Sequence, residues 1–248
     1  IEELPEYVQN TNITVQHIEQ GHVFDLEIHV YYEQEHASVR IVDTHTNIVQ
    51  IEKNWQVIFE DKTTSLELKA DHSALIMKQI WDFSQTVDIE DVKEILDRQI
   101  ACNMAIANEG IHNSYGANIG HVILNMDSDC VKTRAKAYAA AGSDARMNGC
   151  ELPVVINSGS GNQGITCCVP VVVYAKELDC TQKQLYRALV LSNLTAIYIK
   201  TGIGTLSAFC GAVSSGAAAG AGIAYLHNGT YKAVSYTHLR AHETSAHL

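Results

Sequence analysis

Three glycines, Gly159, Gly161 and Gly164, stand in a G-x-G-x-x-G spacing within "VINSGSGNQGITCCVPVVVY", Val155 to Tyr174. Ser158, Ser160, Asn162 and Gln163 bring hydroxyls and amides to a backbone that glycine frees for unusual dihedrals. Such a loop turns several N–H groups into one small concavity, which suits a carboxylate or another small anion. Just upstream, "GSDARMNG" from Gly142 to Gly149 offers Arg146 as a cation for a substrate carboxylate, with Asp144 to orient it. A polar turn beside a surface ion pair is the plainer reading of the same residues.

The spacing also invites a nucleotide reading, which its surroundings oppose. A dinucleotide fingerprint needs a strand before it, an uninterrupted helix after it and an acid about 20 residues on. "LPVVI" could be the strand, but Pro170 falls six residues past Gly164, where it removes a donor and clashes with the preceding turn. The acids Glu177 and Asp179 come too early. A P-loop would need a lysine after the last glycine, and a nucleophile elbow would need glycine where Ser158 stands.

Seven cysteines, at 102, 130, 150, 167, 168, 180 and 210, include no C-x-x-C pair. That removes the zinc-ribbon and thioredoxin readings. Small buried hydrophobes in a reduced, cytoplasmic protein are the default for these thiols. A net charge of −11 opposes nucleic-acid binding and suits a small-molecule substrate. The opening "IEELPEYVQN" has no initiator Met and no signal-peptide pattern, and reads as the interior of a longer chain.

The elements that must position these residues fall into two periods. Phe24, Leu26, Ile28, Val30 and Tyr32 alternate with Asp25, Glu27, His29 and Tyr31, so one face is expected on a core and one in water. "SVRIV", "NIVQIE" and "WQVIFE" continue the pattern. Residues 1–64 are therefore expected to form a small antiparallel β meander.

From about residue 65 to 234 the spacing is helical. Asp88 is a helix N-cap, followed by an apolar stripe of Val92, Ile95, Leu96, Ile100 and Met104. "SDCVKTRAKAYAAAG" predicts a helix stopped by Gly142, and Gln182 to Lys200 predicts another. Thr201 to Tyr231 carries no Asp, Glu, Lys or Arg and is rich in Ala, Gly and Ser. Its few large apolar residues favour a helix buried in the domain over a membrane span, and its small side chains let a backbone or a cofactor approach.

Residues 235–248 break from this pattern. His238, His242 and His247 have a spacing that imitates a metal site, but the composition is that of read-through at the end of an assembled fragment. The segment is set apart as a non-native tail.

Taken in order, "HTNIV", "SDARMNG", "LPVVINSGSGNQGIT", "VPVVVYA", "RALVLSNLTAIYI" and "LSAFCGAVSSGAAAGAGIAYL" resemble the iron–sulfur L-cysteine desulfidase family. That family is related to the α-chain of iron–sulfur L-serine dehydratases. The resemblance covers about residues 10–234 and implies a β-elimination on a small amino acid. In the family a [4Fe–4S] cluster held by three cysteines acts as the Lewis acid, and pyruvate, ammonia and sulfide are the products. It places Cys210 at the first cluster-ligand position and Ser158 to Gly164 near the substrate. His45, Thr46 and Asn47 match a family motif of open role.

The family's other two cluster cysteines would fall beyond residue 234, and its proposed base before Ile1. On that basis this chain alone is expected to be inactive and to hold no cluster. The expectation is an α+β chain, a β meander followed by a mostly α-helical catalytic domain, from a lyase of L-cysteine or, alternatively, L-serine. Its partners are a small amino acid, no nucleic acid and no membrane, and a homo-oligomer is compatible with it. The rival readings are a non-catalytic helical module for a small carboxylate and a dinucleotide-dependent oxidoreductase.

Overall fold

The computed structural model describes residues 4–18, 22, 24–43, 47–61, 72–126, 128–203 and 210–236. The fold is α+β, and the chain divides into two compact units, Ile1–Ala70 and Asp71–Leu248.

In the first unit a helix, α1 (Leu4–Asn10), precedes β1 (Asp25–Tyr32), β2 (Glu35–Val42), β3 (Ile48–Lys53) and β4 (Gln56–Glu60). The strands form one antiparallel sheet in the order β1-β2-β3-β4. The register aligns Ile28, Val39, Ile51 and Phe59 in one row, and Glu27, Arg40 and Gln50 in the next. Arg40 grips Asp25 through two hydrogen bonds, Nε to Oδ1 at 3.0 Å and Nη2 to Oδ2 at 2.7 Å. The expected burial of one face is not met on β1, where Leu26, Ile28 and Val30 are exposed like their neighbours; on β2 the buried positions are His36, Ser38 and Val42. Within this unit the described residues supply one sheet and no second layer to cover that face. Asn47 closes the β2–β3 turn by donating from Nδ2 to Val42 O at 3.0 Å. His45 and Thr46 lie outside the described residues.

The second unit is helical: α2 (Met77–Thr86), α3 (Ile89–His112), α4 (Ile119–Met126), α5 (Val131–Met147), α6 (Gly161–Glu177), α7 (Gln182–Ile203) and α8 (Gly211–Leu226). Asp88 caps α3, accepting from Glu90 N at 3.2 Å. Thr181 and Gln184 cap α7 reciprocally: Thr181 Oγ1 accepts from Gln184 N, and Gln184 Oε1 accepts from Thr181 N.

Helix α6 is central, with α3, α5, α7 and α8 packed on it. Its Ile165, Cys167, Cys168, Val169 and Val171 are fully buried. Each large aliphatic side chain lost from water in this core contributes about 1.5–3 kcal/mol. Helix α8 is buried along Gly211, Ser214, Ser215, Ala218, Ala219 and Gly222, so this part of the uncharged stretch packs inside the helical unit. No helix among the described residues is long and apolar enough to cross a membrane.

Four local expectations change. Helix α5 continues through Gly142 to Met147, and the stop falls at Gly149, which has φ +87°. Gly142 instead makes room for α3, since a β-carbon there would stand 3.2 Å from Ala107 Cα. Helix α6 also continues through Pro170. Pro170 has no N–H for the Thr166 carbonyl; one residue on, the Cys167 carbonyl accepts from Ser192 Oγ at 2.7 Å, which ties α7 to α6 in the turn that the proline interrupts. "LPVVI" is extended but forms no strand. On α3, Ile95 is 67% exposed, and the buried face runs through Leu96, Gln99, Asn103, Ile106, Ala107 and Gly110. The stripe turns polar where it meets the glycine turn.

Candidate functional site

The glycine motif forms a two-residue hairpin leading into a helix. Asn157 and Ser160 exchange backbone hydrogen bonds of 3.1 Å each way. Between them Ser158 has φ +49° and Gly159 has φ +81°, the paired left-handed dihedrals of a tight I′-like turn. Ser160 is the N-cap of α6. The other two glycines serve close approach. A β-carbon at Gly161 would overlap the Arg146 side chain, and one at Gly164 would overlap Val155 O. Because an extended but unpaired segment, not a strand, leads into the motif, it is no βαβ nucleotide loop.

Polar side chains from α3 and α7 hold this turn from beneath. Asn103 binds both backbone groups of Val155. Asn193 is the hub: its Oδ1 accepts from Gln99 Nε2 at 2.8 Å and from Asn157 Nδ2 at 3.0 Å. Its Nδ2 donates to Gln99 Oε1 at 2.8 Å and to Leu189 O at 2.9 Å. Gln99, Asn103 and Asn157 are buried, so each unpaired group would cost about 1–3 kcal/mol, and the network fixes one turn conformation. Sequence reasoning missed these residues. The available signal was two polar residues, Gln99 and Asn103, four apart on an apolar helical face.

Arg146 lies over the first turn of α6, where Nη1 donates to Asn162 Oδ1 at 3.2 Å. Asp144 does not orient it. Asp144 Oδ2 accepts from Ile119 N at 2.7 Å and so caps α4. Arg146 has no carboxylate partner among the described residues.

The α6 end of the motif meets the start of α8. A β-carbon at Gly211 would overlap the carboxamide of Gln163, so that side chain rests on the backbone next to Cys210. Gln163 is 4% exposed, and its Oε1 has no hydrogen-bond partner. Ser215, one turn beyond Gly211 on the same side of α8, is fully buried and its Oγ is likewise unpaired. These are the two orphaned polar side chains that the described residues of the helical unit contain. Two helix N-termini, with their positive dipole ends, therefore flank buried polar atoms that have no protein partner.

Cys210 is the N-cap of α8, with φ −67° and ψ 109°, and is exposed; it is not inside the helix. Cys167 and Cys168 are sealed in the core. Burial pushes the Cys167 thiol up to about 12 and Cys168 well above its ordinary value. Among the described residues no group of three or more His, Cys, Asp or Glu side chains is placed to hold a metal ion. With one thiol at a ligand position, these residues do not make up the donor set of a [4Fe–4S] cluster.

The serine dehydratase alpha chain family matches residues 23–245, and the chain belongs to that family. The match spans both units and ends within the tail set apart in the sequence. A UPF0597 protein of Desulfitobacterium hafniense is 49% identical over 242 residues, 97% of this chain and 56% of that protein. A UPF0597 protein of Lachnoclostridium phytofermentans is 53% identical over 200 residues, 80% of this chain and 48% of its own length. A third, from Treponema denticola, is 47% identical over 206 residues, 79% of this chain and 48% of its own. The chain thus spans about half the length of the curated relatives it matches. No solved structure matches it significantly.

Proposed function

We propose that this chain is part of a lyase that eliminates sulfide from L-cysteine, giving pyruvate and ammonia, with L-serine and loss of water as the alternative. Membership of the serine dehydratase alpha chain family supports a lyase. The observation that carries the site is the Gln163 carboxamide resting on Gly211, beside Cys210, with its Oε1 unpartnered. It joins the glycine turn and the small-residue helix at one end of the helical unit.

In this reading the residues of the chain hold and orient the amino acid. The turn from Ser158 to Ser160 and the first residues of α6, Gly161, Asn162 and Gln163, present a positive dipole end to the carboxylate. Arg146 pins that turn and adds a full positive charge beside it. Close packing at Gly161, Gly164 and Gly211 fixes how the turn, Arg146 and Gln163 sit against one another. Toward the family's [4Fe–4S] cluster, which supplies Lewis-acid chemistry when bound, the described residues offer only the Cys210 position.

The test is an anaerobic assay of the whole protein. Equal amounts of sulfide and pyruvate from L-cysteine support the reading, and pyruvate from L-serine alone selects the dehydratase. Amino-acid binding with no pyruvate from either substrate overturns it in favour of a non-catalytic carboxylate-binding module.

A further inference from the structure

Helix α6 runs parallel to α8, and both run antiparallel to α7. Gly222 of α8 sits against Val171 of α6 and against Ala188 and Ser192 of α7. One layer on, Cys167, Ala196 and Ala218 pack together, all fully buried. One helical turn further in the same direction gives Gln163 on α6, Lys200 on α7 and Ser214–Ser215 on α8. The contact between Gln163 and Gly211 shows that this next layer exists.

Lys200 is only 7% exposed, yet it has no ion pair or hydrogen bond with any described residue. The core covers its apolar stem, and its Nζ is not among the sealed polar atoms that lack a partner. Helical register puts it one turn past Ala196, toward the end of the unit where the two orphaned polar side chains, Gln163 and Ser215, lie.

We propose that Lys200, Ser215 and Gln163 form a recognition set for an α-amino acid. It rests on the reading that this end of the helical unit receives such a substrate. The Lys200 ammonium and the Ser215 hydroxyl donate to the substrate carboxylate. Gln163 Oε1 accepts from its α-ammonium. The three groups then satisfy one another through the ligand, and the α6 and α8 N-termini reinforce the charge on the carboxylate. Lys200 is a substrate-binding residue that selects for a free carboxylate.

The test is calorimetric titration of the whole protein with L-alanine, which has no leaving group on Cβ, and with its uncharged methyl ester. The parent protein should bind L-alanine at least about tenfold tighter than the ester. Lys200→Met should weaken L-alanine binding by about 10–100-fold and abolish the preference over the ester, and Lys200→Arg should restore part of it. Should Lys200→Met fail to fold, Ser215→Ala is expected to narrow the same preference. A Lys200→Met protein that folds and keeps the full preference overturns the proposal, as does a parent protein that binds neither compound. Lys200-dependent binding without pyruvate from L-cysteine or L-serine would sink the lyase reading and leave this recognition set standing.

Discussion

Asn103 and Val155 exchange two hydrogen bonds: Asn103 Nδ2 donates to Val155 O at 3.1 Å, and Asn103 Oδ1 accepts from Val155 N at 2.8 Å. A single side chain in the middle of α3 thus takes the place of a neighbouring strand for the segment entering the glycine turn. The same Val155 carbonyl lies against Gly164, so the turn is clamped between two helices.

Asn103→Leu keeps the volume and removes both partners of Val155. The expected loss is about 2–5 kcal/mol, the cost of two unpaired backbone groups. Urea denaturation of the helical unit in the whole protein measures it. A change below about 0.5 kcal/mol would mean the clamp contributes nothing to the turn.

The β meander, the Asp88 cap and the buried uncharged helix were legible in the sequence, because alternation, capping chemistry and the lack of charge are local properties. The polar network was not. Gln99, Asn103 and Asn193 look like breaks in an apolar stripe until the turn they bind is folded against them. Gly142 and Pro170 misled for a related reason. Each has a strong local tendency to end a helix, and the packing of α5 against Ala107 and of α6 against α3, α5, α7 and α8 overrides it. The contact of Gln163 with Gly211 depends on the register of α6 and α8, which no single segment encodes.

Thiol reactivity should separate the cysteines sharply. Cys210 is exposed and should be alkylated in the native protein at pH 8. Cys167 is fully buried with its thiol held up to about 12, and Cys168 is buried beside it. Both should react only after denaturation. Peptide-resolved labelling checks this, and native labelling of Cys167 at the rate of Cys210 would contradict the described core.

The same two thiols give stability a pH dependence of known sign. Below about pH 9, where an unfolded thiol titrates, both states keep the proton and there is no slope from this source. Above it the unfolded chain releases protons that the folded chain retains, up to about 12 for Cys167. Stability should therefore fall as pH rises through this window, by about 1.4 kcal/mol per pH unit for each thiol. Denaturation midpoints from pH 8 to 10.5 measure the slope. The Cys167→Ala, Cys168→Ala double variant should flatten it, and an unchanged slope would assign it to other groups.

The central claim is that the glycine turn and the start of α8 form one amino-acid site, and two alanine substitutions in the same helix test it most directly. Gly211→Ala forces a methyl group into the Gln163 carboxamide, whereas Gly216→Ala meets only Thr166 Cγ2 at 3.9 Å on an exposed side of α8. The measurement is the L-alanine dissociation constant of the two whole-protein variants. The account predicts that Gly211→Ala weakens binding by about tenfold or more, while Gly216→Ala stays within about twofold of the parent. Equal affinities for the two variants would contradict it.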